Sequence, residues 1–271
     1  MGADYSIVLE VDAKYAGILR KNDTSCHSLT YNYDPMNQKS ELFYSFTRAD
    51  FETDEIKLVE SALLATKALF DLTEKQKSAV KMKLWYNRGW DNSQSSDVAE
   101  NKAYRESFVF GLDQEKSDLK NIWPEELDKQ HKATLMDFLS FSISLCVDWY
   151  RKNACILDFK FSPDAFMHRI NSSDLRVKAA AYFPGEEIAL PQTGCFEHED
   201  YGLFTINFSN KCSDLFAYVD GKWINSEKEA IANLWSGGQI ECCSNSFVPT
   251  KHKIILGDKA TRYSLNLFIE V

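Results

Sequence analysis

One histidine and several acids stand together in CFEHEDYGLFTINF, residues 195–208, directly before an apolar run. In an extended chain successive side chains point to opposite faces, so His198 and Asp200 would share one face while Glu199 points away. An imidazole and a carboxylate that converge in this way could bind a metal ion. With a second histidine they would form a two-histidine, one-carboxylate facial triad, which binds Fe(II) and leaves positions open for substrate and dioxygen.

His252 is the natural candidate for the second histidine. It lies in VPTKHKIIL, just before another strand-like run, and adjacent strands of a barrel could bring it beside His198. The remaining histidines of the chain are His27, His131 and His168. The pattern therefore predicts a metal site built from His198, Asp200 and His252.

A second group of polar residues lies near the end of the chain, in TRYSLNLFIEV. Arg262 and Ser264 are two residues apart in this strand-like run, so a guanidinium and a hydroxyl would face the same side. Arginine binds a carboxylate with two parallel hydrogen bonds, and serine can add another. The pair could hold the distal carboxylate of an oxo acid bound to the metal. The alternative is a surface strand with a solvated arginine.

Helical patterns occupy much of the first part of the chain. Residues 54–70 carry apolar side chains at near-helical intervals, and Thr73 with Gln76 forms a capping-box pattern that predicts a second helix through about Lys83. We expect a longer helix after Trp123-Pro124, because proline is tolerated in the first turn. Its apolar face would contain Leu135, Phe138, Leu139, Ser142, Leu145, Cys146 and Trp149.

Short apolar runs replace the helical patterns after residue 175. A short helix is first predicted at Ser162-Pro163-Asp164, which combines an N-cap, a proline and a favourable acid. The predicted strands then follow as VKAAAYF, YGLFTINF, LFAYV, KWI, KIIL and YSLNLFIEV. Helices followed by strands favour an α+β chain or a helix-backed barrel over a doubly wound sheet.

The composition is that of an ordinary globular protein. The chain has 271 residues, of which 44% are hydrophobic and 26% charged, with a net charge of −9. We expect one domain over residues 1–271, mostly helical over 1–120 and carrying the site motifs over 175–271. The acidic charge and the absence of a basic cluster argue against nucleic acid as a partner. No apolar stretch is long enough to span a membrane, and seven scattered cysteines suit reduced thiols. We expect a cytoplasmic monomer.

The motifs together resemble those of the Fe(II)/2-oxoglutarate-dependent dioxygenases, and of the isopenicillin N synthase-like branch in particular. The matching signatures are His198-Glu199-Asp200, then His252 in PTKHK, then Arg262-Tyr263-Ser264. DLTEKQKSAV, YRESFVFG, NIWPEE and AAYFPG also resemble segments of that branch, so the likeness covers roughly residues 55–271. SIVLEVD, residues 6–12, is only partly like the opening strand of the branch.

The resemblance implies a distorted double-stranded β-helix, or jelly roll, supported by helices from the N-terminal half. It implies that His198, Asp200 and His252 bind Fe(II), which reacts with O2 and the co-substrate 2-oxoglutarate. Arg262 and Ser264 would bind 2-oxoglutarate, with Tyr182 as an additional contact. Arg88 and Trp90, in YNRGWDN, fall where the substrate-facing loop of the branch would lie. An exposed loop arginine is the other interpretation of Arg88.

The expected substrate is a small molecule, amino-acid-derived or another specialised metabolite. Hydrogen abstraction would lead to hydroxylation, desaturation or oxidative ring closure, with succinate and CO2 as co-products. Two alternatives remain open. The first is an iron oxidase of the same branch that uses no 2-oxoglutarate, and the second is a non-catalytic binding module that retains the fold.

Overall fold

The computed structural model describes residues 39–83, 87–92, 101–112, 120–154, 158–172, 175–227 and 229–271. The predicted strand-like segment SIVLEVD lies outside these residues. The helices are α1 (Thr53–Phe70), α2 (Glu74–Ser78), α3 (Lys129–Asn153), α4 (Pro163–Ser172) and α5 (Ile240–Cys243). The strands are β1 (Ser40–Glu41), β2 (Phe43–Thr47), β3 (Gly89–Asp91), β4 (Tyr104–Gly111), β5 (Arg176–Phe183), β6 (Gln192–His198), β7 (Phe204–Ser209), β8 (Leu215–Val219), β9 (Lys222–Asn225), β10 (Ala230–Ser236), β11 (Phe247–Val248), β12 (His252–Leu256) and β13 (Arg262–Ile269).

Two antiparallel sheets form the body of the fold. The larger has seven strands in the order β2-β10-β7-β13-β5-β4-β3, and the smaller has four in the order β6-β12-β8-β9. Strands β1 and β11 pair in parallel as a separate two-stranded ribbon. From β5 onward most consecutive strands belong to different sheets, so the chain crosses repeatedly between the two sheets. This is the α+β jelly roll predicted from the sequence.

The inner faces of the two sheets share one apolar cluster. Tyr182 and Trp235 contribute to it from the larger sheet, and Ile254 and Leu256 contribute from the smaller sheet. A side chain at Gly194 would bring its Cβ within 2.9 Å of Ile254 and 3.0 Å of Tyr182, so glycine permits the sheets to approach each other there. The cluster thus fixes the spacing between the sheets, and the functional side chains project into the space beside it.

Helices cover the outer face of the larger sheet. α1 contacts α3 and β13, and α3 packs against the sheet through aromatic rings. The ring of Phe138 meets that of Phe208 at 4.9 Å, and the ring of Trp149 meets that of Phe204 at 5.6 Å. The apolar face predicted for this helix is buried except at Leu145. In the part of the chain that the structure describes, no helix is long and apolar enough to cross a membrane.

Two helix boundaries differ from the prediction. α3 begins at Lys129 rather than after Pro124, because Asp128 is extended and its carboxylate accepts a hydrogen bond of 2.8 Å from the His131 amide. α2 has the predicted capping box but ends at Ser78, since the chain then turns to pair beside β3. The described part of residues 1–120 contains four strands as well as two helices, so its composition is mixed.

The N-cap of α3 leads to a test of stability. Replacing Asp128 with alanine should lower the free energy of unfolding by about 1 kcal/mol, because the side chain satisfies an amide that otherwise lacks a helical partner. Glu126→Ala is the matched control, since this exposed acid lies just before the cap and outside the helix. Denaturant unfolding would measure the difference, and equal stability of the two variants would contradict the role of the cap.

Candidate metal centre

Strand pairing brings together the three residues that the sequence predicted as a metal site. β6 ends at His198 and β12 begins at His252, and these two histidines are directly paired across the antiparallel ladder. Asp200 follows two residues after the end of β6. One ligand atom from each of the three side chains lies within 4.8 Å of the other two. The pairing of β6 with β12 therefore overcomes the long separation of the two histidines in sequence.

Both imidazoles turn Nε2 toward the space between the three predicted ligands. Nδ1 of His198 lies 2.8 Å from the Phe196 carbonyl oxygen, and Nδ1 of His252 lies 3.2 Å from that of Thr250. A carbonyl oxygen only accepts hydrogen bonds, so each Nδ1 carries a proton and donates it. The Nε2 atoms face Asp200, at 3.6 Å for His198 and 3.7 Å for His252. In its neutral form each ring would thus present the Nε2 lone pair to a metal position.

The carboxylate of Asp200 is oriented through one of its oxygens. Oδ2 accepts hydrogen bonds from Thr205 Oγ1 at 2.6 Å and from the indole nitrogen of Trp235 at 2.9 Å. Oδ1 is the atom 3.6 Å from His198 Nε2. With Oδ2 already satisfied, Oδ1 is the oxygen best suited to coordinate a metal. At Gly237 an added Cβ would lie 2.8 Å from the Asp200 backbone oxygen, so glycine permits this close packing.

The two histidines differ in their affinity for protons. Burial lowers the pKa of His252 to about 4, so its ring is neutral at pH 7. Burial also acts to lower the pKa of His198, but interactions with Cys195, the Phe196 carbonyl and Asp200 outweigh it and raise the pKa to about 9. A metal ion must therefore displace a proton from His198. Metal affinity should consequently fall as the pH is lowered.

Arg262 lies on the inner face of the larger sheet with its guanidinium fully buried. Nε donates to the Lys211 carbonyl and Nη2 donates to Asn207 Oδ1, both at 3.3 Å. Nη1 is buried and has no hydrogen-bond partner in the described part of the chain. A buried guanidinium nitrogen without a partner is costly, so this atom marks a position where an anion would be stabilised.

Ser264 and Tyr182 flank this arginine. Ser264 is buried two residues along β13, and its Oγ accepts a hydrogen bond of 3.3 Å from Asn266. Tyr182 is paired with Arg262 across the sheet, and its ring centroid lies 5.4 Å from the guanidinium carbon. The structure therefore brings the three residues predicted to bind 2-oxoglutarate into one neighbourhood.

One cavity of about 530 Å³ joins the two groups. Its lining includes the three predicted metal ligands together with Arg262 and Tyr182, whereas Ser264 is not part of the lining. Trp235 and Phe268 provide apolar surface in the same cavity. The arrangement can hold a metal ion and an anionic ligand side by side.

The residues predicted to face a substrate are located elsewhere. Arg88 is completely buried, and its Nη1 donates to the Asn87 carbonyl at 3.0 Å. Trp90 is also buried, and its indole nitrogen donates to Glu106 at 2.8 Å. Neither residue lines the cavity. A substrate-binding role for them has no support in this geometry.

Other residues in and around the cavity were not predicted from the sequence. Arg105 and Lys178 line it from β4 and β5, and Thr205 and Trp235 orient Asp200. Strand alternation was the available signal, because Lys178 lies two residues before Ala180 and four before Tyr182 on the same face of β5. No sequence pattern distinguishes Thr205 or Trp235 from ordinary core residues.

Solved structures with this fold are known. A 2OG-Fe(II) oxygenase family protein from Caulobacter crescentus matches with a TM-score of 0.72 and 18% identity, covering 84% of this chain and 77% of that one. The thymine hydroxylase of Neurospora crassa, in complex with alpha-KG, matches with a TM-score of 0.71 and 20% identity, covering 84% and 75%. DAO1, the dioxygenase for auxin oxidation 1 from Arabidopsis thaliana, matches in its 2-oxoglutarate complex with a TM-score of 0.62 and 16% identity, covering 84% and 82%.

Sequence comparison alone does not find these relationships. No protein-family model matches the chain, and no curated protein matches it. At such low identities, structural similarity establishes the fold and not the activity. The chain has the fold of the 2OG-Fe(II) oxygenases.

Proposed function

We propose that this protein is an Fe(II)- and 2-oxoglutarate-dependent oxygenase that acts on a small molecule. The observation that carries the proposal is that Arg262 lines the same cavity as the cluster of His198, Asp200 and His252, and that its Nη1 is buried with no hydrogen-bond partner among the described residues. A group of metal-binding side chains alone would be compatible with many functions. A buried guanidinium that forms no ion pair in the described residues, and whose Nη1 has no hydrogen-bond partner there, indicates that an anionic co-substrate binds beside the metal.

The donor atoms suit Fe(II) bound on one side. Two imidazole nitrogens and one carboxylate oxygen form the two-histidine, one-carboxylate set found in non-haem Fe(II) oxygenases, which leaves positions free for other ligands. Hydrogen bonds already fix the histidine tautomers and one oxygen of Asp200. Such preorganisation is typical of a metal site and costs little rearrangement on binding.

The ligands of the similar structures agree with this proposal. The Neurospora crassa enzyme was solved with alpha-KG, in two cases together with thymine or 5-formyluracil. JOX2 was solved with 2OG, Fe and JA. These are small molecules, and we propose a small substrate for this chain too, amino-acid-derived or another specialised metabolite. The isopenicillin N synthase-like branch remains a prediction from the motifs.

The side chains of this protein would bind and orient the reactants. Arg262 would form two hydrogen bonds with the distal carboxylate of 2-oxoglutarate, beside the ring of Tyr182. Thr205 and Trp235 would keep Asp200 turned so that Oδ1 meets the metal. When bound, iron and 2-oxoglutarate would supply the oxidising chemistry, in which O2 is reduced, the oxo acid becomes succinate and CO2, and a substrate hydrogen atom is removed.

The substrate would approach from the side of His198. The side chain of His198 is 43% exposed, whereas those of Asp200 and His252 are 11% and 6% exposed. The metal position is therefore open on one side and enclosed by the sheets on the other. Hydroxylation is the simplest outcome, because desaturation and ring closure each need a further constraint on the substrate radical.

The proposal can be tested by titration in the absence of oxygen. We expect the protein to bind one Fe(II) per chain, and to bind 2-oxoglutarate tightly only once iron is present. Admission of O2 should then release succinate, faster with a substrate from a library of small metabolites. Absence of stoichiometric iron binding, or of any succinate, would contradict the proposed function.

A second test concerns the residue that orients Asp200. Trp235→Phe keeps the apolar ring but removes the N–H group that donates to Oδ2. Iron affinity should fall by about tenfold, because groups that orient metal ligands contribute about 10–100-fold. Trp223→Phe is the matched control, since this tryptophan lies on β9 and does not line the cavity. Equal iron affinities of the two variants would show that the hydrogen bond is unimportant.

A further inference from the structure

The cavity is cationic although the protein is acidic. The chain carries a net charge of −9. The basic residues of the cavity lining are Lys102, Arg105, Lys178 and Arg262. The acidic residues of the lining are Glu197 and Asp200. Asp200 would be neutralised by the metal and Arg262 by 2-oxoglutarate. Even with Lys102 left out of the count, Arg105 and Lys178 then outnumber Glu197 among the described lining residues. This excess indicates a second anionic ligand.

Arg105 is separated from the proposed 2-oxoglutarate site by one strand. On the inner face of the sheet, Tyr182 of β5 is paired with Arg262 of β13 on one side and with Arg105 of β4 on the other. Adjacent strands lie about 4.8 Å apart, so the backbones carrying the two arginines are roughly 10 Å apart. The ring of Tyr182 lies on the strand between them. We therefore treat Arg105 as part of a separate anion position.

Arg105 and Lys178 line the cavity without a directly paired acid among the described residues, although Asp91 and Asp200 attract Lys178 from a distance. Neither forms an ion pair with an acidic residue in the described ranges. The Arg105 guanidinium contacts the thiol of Cys195, with Nη1 3.6 Å from Sγ. Burial lowers the pKa of Lys178, and repulsion from Arg105 lowers it further. Two sheltered cations close enough to repel each other would be stabilised by an anion between them.

This anion position is next to the open side of the metal site. Cys195 Sγ, which contacts Arg105, lies 3.8 Å from Nδ1 of His198. His198 is also the most exposed of the three predicted metal ligands. A molecule held by Arg105 would consequently lie near the His198 ring, on the more exposed side of the metal position. The apolar rings of Trp235 and Phe268 could cover the rest of that molecule.

We infer that Arg105, assisted by Lys178, binds a carboxylate of the substrate, and that the substrate is therefore a small organic acid. The inference rests on the proposed function and gives its substrate class. The planar fork of arginine matches a carboxylate, and the cavity volume of about 530 Å³ leaves space for only a small acid beside 2-oxoglutarate. Arg105 would thus have the substrate-facing role that the sequence pattern suggested for Arg88.

The experiment compares benzoate with benzamide, which has nearly the same shape but no charge. Calorimetry would measure the binding of each to the protein loaded with Fe(II) and saturating 2-oxoglutarate without O2, so that the Arg262 site is filled. We expect the wild type to prefer benzoate. Arg105→Gln should weaken benzoate binding about tenfold or more, because a charge-assisted hydrogen bond is lost, and should leave benzamide binding unchanged.

Two further variants make the comparison specific. Arg105→Lys keeps the charge but not the fork, so its affinity for benzoate should lie between those of wild type and Arg105→Gln. Arg151→Gln removes an exposed arginine from α3 and should bind benzoate like the wild type. Iron and 2-oxoglutarate binding should be normal in all three variants, and this also shows that each variant is folded.

Several results would overturn the inference. These are equal binding of benzoate and benzamide by the wild type, unchanged benzoate affinity in Arg105→Gln, or preference for phenyl phosphate over benzoate by more than about tenfold. A failure of the proposed function is a separate result, because it would appear as absent iron or 2-oxoglutarate binding. In that case the same two ligands, tested on the metal-free wild type, Arg105→Gln and Arg262→Gln, still decide which arginine binds the carboxylate.

Discussion

Replacing His252 with alanine is expected to abolish stoichiometric iron binding and, with it, the release of succinate. The imidazole of His252 is the most buried of the three predicted ligands, and its Nδ1 contact with Thr250 turns Nε2 toward Asp200. Water cannot easily replace a ligand that is fixed in this way. Changes to residues that only orient ligands weaken metal binding by about 10–100-fold, so loss of a ligand should cost at least about 100-fold.

The control for this variant is His168→Ala. His168 is exposed on α4, away from the cavity, and its loss should change neither iron stoichiometry nor turnover. Because His252 also packs against Trp235, with ring centroids 4.5 Å apart, thermal unfolding should be measured for both variants. A folded His252→Ala protein that binds one iron with wild-type affinity would show that the metal site is wrongly assigned.

The residues of the candidate site could be proposed from the sequence because chemically complementary side chains lie two residues apart in strand-like segments. His198 and Asp200 share a face in an extended segment, as do Arg262 and Ser264, and both pairs lie beside strongly apolar runs. The register that pairs His198 with His252 could only be proposed, since cross-strand pairing depends on the complete sheet. Local patterns therefore identified side chains, and the fold was needed to assemble them.

Strands β6 and β10 are among the strands that were not predicted, and the physical reasons differ. β6 has an exposed, polar end and contains Gly194, so it lacks the apolar alternation by which a half-buried strand is recognised. β10 is a central strand between β2 and β7, and its sequence AIANLWS follows a charged segment and contains residues that also suit a helix. Long-range pairing, and not local propensity, determines the structure of both.

Local sequence patterns also failed to distinguish Arg88 from Arg105 as the arginine that lines the cavity. Arg88 lies in a polar, glycine-containing loop that would normally be assigned to the surface or to a substrate, yet its guanidinium is buried away from the cavity. Arg105 is within YRESFVFG, where only the strand register reveals that it opposes Tyr182 on the inner face. A sequence shows that the side chains of a strand alternate between its two faces. It does not show which of those faces lies on the inside of the fold.

Arg262 is the residue for which we expect the second large effect. Arg262→Gln should weaken 2-oxoglutarate binding by about 100-fold or more, while iron stoichiometry stays near that of the wild type. The guanidinium is fully buried, and removing one partner of a buried, hydrogen-bonded charge pair costs about 2–5 kcal/mol. Arg262→Lys keeps the charge but gives up the bidentate geometry, so its affinity should be intermediate. Anaerobic titration with 2-oxoglutarate would measure both variants.

The same variants distinguish the proposed oxygenase from an oxidase that uses no 2-oxoglutarate. Arg48→Gln is the control, because Arg48 is exposed and pairs with Glu60 far from the cavity, so its 2-oxoglutarate affinity should equal that of the wild type. In an oxygenase, substrate oxidation by Arg262→Gln should become dependent on high concentrations of 2-oxoglutarate, with succinate and product still formed in equal amounts. If substrate oxidation is instead the same with and without 2-oxoglutarate in wild type and variant, the oxidase alternative is correct.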